Sequence, residues 1–138
     1  MKIEADEIWG YVGKKQRQVA EGNHTSLGDV WTFIAIDSES KAVPSFPIGK
    51  RDYASTRAFV ADVHSRMKNR IQLSSNGMNH YAHAVEESFG SEVDYGQIVK
   101  VYKSQEPEGR YSPPQIEAVK RTTITGNPHR VSTSIIER

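Results

Sequence analysis

Apolar and polar residues alternate through residues 2–12, with Ile3, Ala5, Trp9 and Tyr11 on one side and Glu4, Asp6, Ile8 and Val12 on the other. A period of two predicts a strand, because successive side chains leave a pleated chain on opposite faces. A polar connection containing glycine, asparagine and serine covers residues 13–28. Val30-Trp31-Thr32-Phe33-Ile34-Ala35-Ile36 is then nearly all apolar and rich in β-formers, the pattern of a strand buried on both faces. After the turn Asp37-Ser38-Glu39-Ser40, residues 41–48 read as a third, extended segment. Pro44 and Pro47 confine it to a sheet edge, since proline has no N–H to give a ladder.

The period changes after Asp52. Tyr53, Thr56, Phe59, Val60, Val63 and Met67 recur every three or four residues, which predicts a helix with Asp52 as its N-cap. Ile71-Gln72-Leu73 reads as a short fourth strand, ended by the turn formers Ser74-Ser75-Asn76-Gly77. Met78, Tyr81, Ala82, Val85 and Phe89 mark a second amphipathic helix closed by Gly90. Residues 97–103, with Ile98, Val99, Val101 and Tyr102, read as a fifth strand. Residues 104–130 are rich in proline, glycine and charge, with a helical turn expected around 115–120, and residues 131–138 read as the start of a helix.

A chain of 138 residues with 36% hydrophobic content suits one α/β domain spanning 1–138, with a single core. Its longest apolar stretch, residues 30–36, is far too short to span a bilayer, and the N-terminus lacks a basic-then-apolar leader. No membrane and a cytoplasmic location are the expectation. The absence of cysteine excludes disulfides and thiolate metal sites, so any metal must sit on oxygen or imidazole. A net charge of +1 does not by itself mark a nucleic-acid binder. Basic clusters at Lys14-Lys15-Arg17, Lys50-Arg51, Arg66-Lys68-Arg70 and Lys120-Arg121 each read as solvated surface unless several converge on one face.

Asp6 lies inside a strand, where an unpaired buried carboxylate is costly, so it needs compensation, a solvent-facing position or a lysine partner. Asn76-Gly77 is also an ordinary turn pair, and Ser134-Ile135-Ile136-Glu137 fits a capping box, a role compatible with metal binding in another state. His80 and His83 stand one helical turn apart but lack a third convergent ligand, and read as surface-helix residues like any others. His24, His64 and His129 add no pattern. No serine-histidine-acid set and no phosphate-binding glycine loop occurs.

Ala5-Asp6-Glu7-Ile8-Trp9 with Val12-Gly13-Lys14-Lys15-Gln16, followed by the block from Gly28-Asp29-Val30-Trp31 to Ile36-Asp37, resembles the DDE transposase domain of a bacterial insertion-sequence family. Gly49-Lys50-Arg51-Asp52, Gln72-Leu73-Ser74-Ser75-Asn76-Gly77, Val93-Asp94-Tyr95-Gly96-Gln97 and Ser132-Thr133-Ser134-Ile135-Ile136-Glu137-Arg138 continue the resemblance in register across essentially the whole chain. The element order likewise resembles ribonuclease-H-like domains. That resemblance implies a mixed five-stranded sheet in the order 3-2-1-4-5, helices packed on it, and a C-terminal helix truncated here.

It also implies a core that cuts and joins DNA strands with two magnesium (or manganese) ions. The family's three acids, in its Asp-Glu-x-Trp block, before Gly-x-x-x-Tyr and in Ser-x-x-Glu-Arg, fall on Asp6, Asn76 and Glu137. Asp6 would bridge both metals, position 76 would hold the metal at the attacking oxygen, and Glu137 the one at the leaving oxygen. Asn76 offers a neutral carbonyl where the family has a carboxylate, so weak metal binding and little or no cleavage are expected. Lys14, Lys15, Arg17, Lys50 and Arg51 are the candidate DNA contacts, and the family's separate DNA-recognition region is expected to be missing. The alternative is a non-catalytic module that binds DNA weakly or associates with a second copy, through the proline-bearing edge strand or an uncovered apolar surface.

Overall fold

The computed structural model describes residues 1–12, 28–102 and 116–136. In chain order its elements are β1 (Lys2–Val12), β2 (Gly28–Asp37), β3 (Ile48–Gly49), α1 (Tyr53–Ser65), β4 (Gln72–Asn76), α2 (Asn79–Phe89), β5 (Asp94–Tyr102) and β6 (Ile116–Thr125). One mixed sheet runs β3-β2-β1-β4-β5-β6. β2 is antiparallel to β1, whereas β4 lies parallel to β1 and β5 parallel to β4. The expected strand order is present, but the sheet has six strands rather than five.

The sixth strand corrects the helical turn expected around 115–120. Thr122, Thr123, Ile124 and Thr125 are β-branched, and their restricted χ1 suits a pleated chain better than a helix. β6 pairs antiparallel with β5 and ends at Gly126, whose φ of +67° is left-handed. A Cβ there would lie 2.3 Å from Asp94 Oδ1 and 2.9 Å from the Val93 carbonyl oxygen, so only glycine fits.

Other boundaries move as well. β4 does not end at Leu73 but continues through Ser74, Ser75 and Asn76, because buried Ser75 finds a partner in the Tyr95 hydroxyl at 2.6 Å. β5 begins at Asp94, three residues earlier than the apolar pattern predicts. The third strand shrinks to Ile48–Gly49, with one isolated bridge, Ala35↔Ser45, before it. Pro44 and Pro47 break that ladder, although the Pro47 and Ser45 carbonyls still accept from Phe33 and Ala35. Residues 134–136 form a turn, not the helix start expected from 131.

Both helices follow their predicted periods. The Asp52 side chain accepts the Ser55 N–H at 2.8 Å and caps α1. Gly90 follows α2 at a φ of +58°. Phe59, Val60 and Val63 of α1 and Tyr81, Ala84 and Val85 of α2 share one buried cluster with Ile3, Ala5, Phe33, Ala35, Leu73 and Tyr95 of the sheet. Ile3 and Ala5 of β1 and Phe33 and Ala35 of β2 thus face the helices, and Glu4, Asp6 and Ile8 face the other way. No helix among the described residues is long and apolar enough to cross a membrane.

Candidate functional site

The β1–β4 ladder pairs Lys2, Ile3 and Glu4 with Gln72, Leu73 and Ser74, and stops there. Asp6 and Asn76 each lie two residues past the last pair, so they share the face of Glu4 and Ser74. Beyond that point β1 keeps only its antiparallel partner, with Asp6 opposite Ile34, while β4 keeps only β5, with Asn76 opposite Ile98. The two central strands splay at their C-terminal ends. The opening is a cavity of about 600 Å³ whose lining includes Asp6, Arg51, Asn76, His80, Lys100 and Thr133. In open α/β sheets this strand-end crevice is where ligands bind.

Glu7, next along β1, points toward the helices, and its side chain is only 2% exposed. Such burial needs donors. Asn76 Nδ2 donates to Glu7 Oε1 at 3.1 Å, Arg51 Nη2 donates to the same oxygen at 3.1 Å, and the Tyr81 hydroxyl donates to Oε2 at 2.7 Å. The Arg51 guanidinium also sits 4.8 Å from the centre of the Trp31 ring, which helps fix its direction. Burial, the Glu7 charge and the hydrogen bond to it together push the Tyr81 phenol far above its usual range.

Asn76 joins both acids. Its Nδ2 also donates to Asp6 Oδ1 at 3.3 Å, while its Oδ1 accepts the Met78 N–H at 3.0 Å. A backbone N–H can only donate, so the amide oxygen must face Met78 and the NH₂ must face the carboxylates. Asp6 Oδ1 accepts a second bond, from the Glu7 N–H at 2.8 Å.

Two of the three sequence-predicted ligands, Asp6 and Asn76, therefore meet. Glu137 lies outside the described residues, as do Lys14, Lys15 and Arg17. Thr133, four residues before Glu137, lines the same cavity. Lys50 Nζ donates to the Asp29 carbonyl at 2.7 Å, and Arg51 turns inward to Glu7. The rings of His80 and His83 flank Tyr53 at 5.9 Å and 6.5 Å. The roles of Glu7 and Tyr81 do not emerge from the sequence pattern. The available signal was Glu7 itself, a charged residue in the same alternating stripe as Ile3 and Ala5.

A divalent cation does not fit the donors as they stand. Magnesium needs oxygen donors with negative charge, yet position 76 presents an NH₂ to Asp6 and spends its carbonyl on Met78. Among the described residues no group of three or more histidine, aspartate or glutamate side chains is placed to hold a metal. Comparison of the chain with family models, with curated proteins and with solved structures returns no match in any of the three. The functional reading therefore rests on the site's own chemistry.

Proposed function

We propose that this chain is a DDE transposase-like domain of ribonuclease-H type in which the acid cluster is held by hydrogen bonds instead of metal, so that DNA cleavage and strand transfer are lost. The observation that carries the reading is the Asn76 amide, bonded at once to Asp6 and Glu7 where the central parallel strands splay. Support for the ancestry comes from the strand order β3-β2-β1-β4-β5, in which only β2 runs opposite to β1, and from two sequence-predicted ligands meeting at the strand ends. β6 is an addition on the far edge.

In this reading Asp6 supplies the acid of β1, and Asn76 replaces an acid with a donor. Glu7, Arg51 and Tyr81 hold that donor in place. With an aspartate at position 76 the cluster would set three carboxylates around one guanidinium, an arrangement that demands a cation. The test is cleavage and strand transfer on duplex DNA with magnesium or manganese, for the unaltered chain and for Asn76→Asp. The unaltered chain is expected to be inactive and the variant to gain metal-dependent nicking. Robust cleavage by the unaltered chain would overturn the proposal.

A second reading, a non-catalytic DNA-binding module, is favoured by Arg51, His80 and Lys100 lining the same cavity. A DNA titration at rising salt separates the two. Affinity that falls steeply with salt, in the absence of any metal, supports the binding module.

A further inference from the structure

Glu4 is a carboxylate with only 4% exposure. Its Oε2 accepts the backbone N–H groups of Ile135 and Ile136, each at 3.1 Å, from the far end of the chain. Here one carboxylate oxygen serves two backbone donors in a turn too short to stabilise itself.

The route of this segment adds weight. Val131 packs on Gly96 so closely that a Cβ there would lie 2.5 Å from Val131 Cγ2, which lets the chain cross β5. Arg121 Nε donates to the Val131 carbonyl at 2.9 Å. Val131 and Thr133 are 5% and 3% exposed, and Thr133 forms part of the wall of the cavity that holds Asp6 and Asn76. Glu4 then fixes residues 135 and 136. Glu4 and Asp6 lie on one face of β1, roughly 7 Å apart at strand spacing, and Glu137 follows Ile136 in the chain.

We propose that Glu4 is a positioning residue: it seats the 131–136 segment on the Asp6 face of β1, keeps Thr133 in the cavity wall, and sets the point from which the chain continues to Glu137. Glu4 is not itself a ligand in this scheme, because its bonding oxygen is committed to two backbone donors. The importance of Glu137 rests on the transposase-like reading above. The seating of the segment by Glu4 does not.

The experiment compares the full chain with Glu4→Ala and Glu4→Gln by hydrogen exchange at the Ile135 and Ile136 amides. In Glu4→Ala those two amides should exchange at least about tenfold faster, while amides of α1, α2 and β2 stay protected. Glu4→Gln keeps a neutral acceptor oxygen and should restore part of the protection. Equal exchange in the native chain and Glu4→Ala overturns the proposal. A second arm measures manganese affinity in the Asn76→Asp background, where adding Glu4→Ala should weaken binding about tenfold, as Glu137→Ala should, and Glu4→Gln less. Unchanged affinity overturns the positioning role. If Asn76→Asp binds no manganese with Glu4 intact, the transposase-like reading fails, and the exchange result still decides whether Glu4 seats the segment.

Discussion

The two halves of the β1–β4 pair are built by different physics. In the first half, Lys2–Glu4 is laddered to Gln72–Ser74, and Ile3 and Leu73, 1% and 2% exposed, sink into the helix-covered core. In the second half the ladder is gone, and Asp6, Glu7 and Asn76 are linked through side chains. Ser75, on the same stretch, is fully buried and bonds to Tyr95, which in turn accepts from Gln97 Nε2 at 2.9 Å. The first half gains stability from area, indifferent to the chemistry of its neighbours. The second holds together only because every donor meets an acceptor, so one changed atom alters the whole cluster.

Leu73→Ala should break the first half most severely. Truncating a leucine in a close-packed core costs about 2–5 kcal/mol, and chemical denaturation should report a loss in that range that is insensitive to divalent cations. Glu7→Ala attacks the second half, since it strips an acceptor from the Tyr81 hydroxyl and the Asn76 amide at once. A loss of about 2–3 kcal/mol is expected, nearly all of it from those two groups, because the half-exposed Arg51 returns to water at little cost. A loss well under 1 kcal/mol would mean that Glu7 is not the centre of the cluster.

Asn76→Asp sharpens the contrast further. It exchanges a donor for a third carboxylate, and in a chelator at neutral pH should cost about 1–2 kcal/mol. Unlike the Leu73→Ala loss, this one should be recovered by manganese. Thermal melts of the two variants with and without the cation make the comparison directly. Parallel behaviour would erase the distinction drawn between the two halves.

What the sequence revealed divides along the same line. Period locates β1 and both helices, an unbroken apolar run locates β2, and Asp52 marks a helix start by its own hydrogen bond. β4 is cut short in such a reading, since Ser74, Ser75 and Asn76 have the composition of a turn. They are strand because their backbone ladders with β5 and the buried Ser75 hydroxyl meets that of Tyr95, which no local pattern records. β6 hides behind charge and nearby prolines, and its edge position leaves Val119 and Ile124 half exposed, so no clean alternation appears. At the site, the meeting of Asp6 with Asn76 follows from strand adjacency. The inward turn of Arg51, a residue that looks like a surface cation, follows from where Glu7 points.

Tyr81 carries the smallest expected effect and ties the polar half to solution pH. Burial first, then the Glu7 charge and hydrogen bond, hold its phenol well above the usual value of 10.0. Below that value both folded and unfolded chains keep the proton, and the contact's full stability is present. Above it the unfolded chain releases the proton while the folded chain retains it, so stability must fall as pH rises through the alkaline range. Tyr81→Phe removes one donor from Glu7, which should cost about 1 kcal/mol at neutral pH, and should flatten the alkaline loss. It should not abolish that loss, because burial also raises the phenol of Tyr95. Denaturation midpoints taken on either side of pH 10 give both quantities. An unchanged alkaline slope would show that the buried carboxylate and the phenol do not face one another, and the polar half of the β1–β4 pair would lose its link to α2.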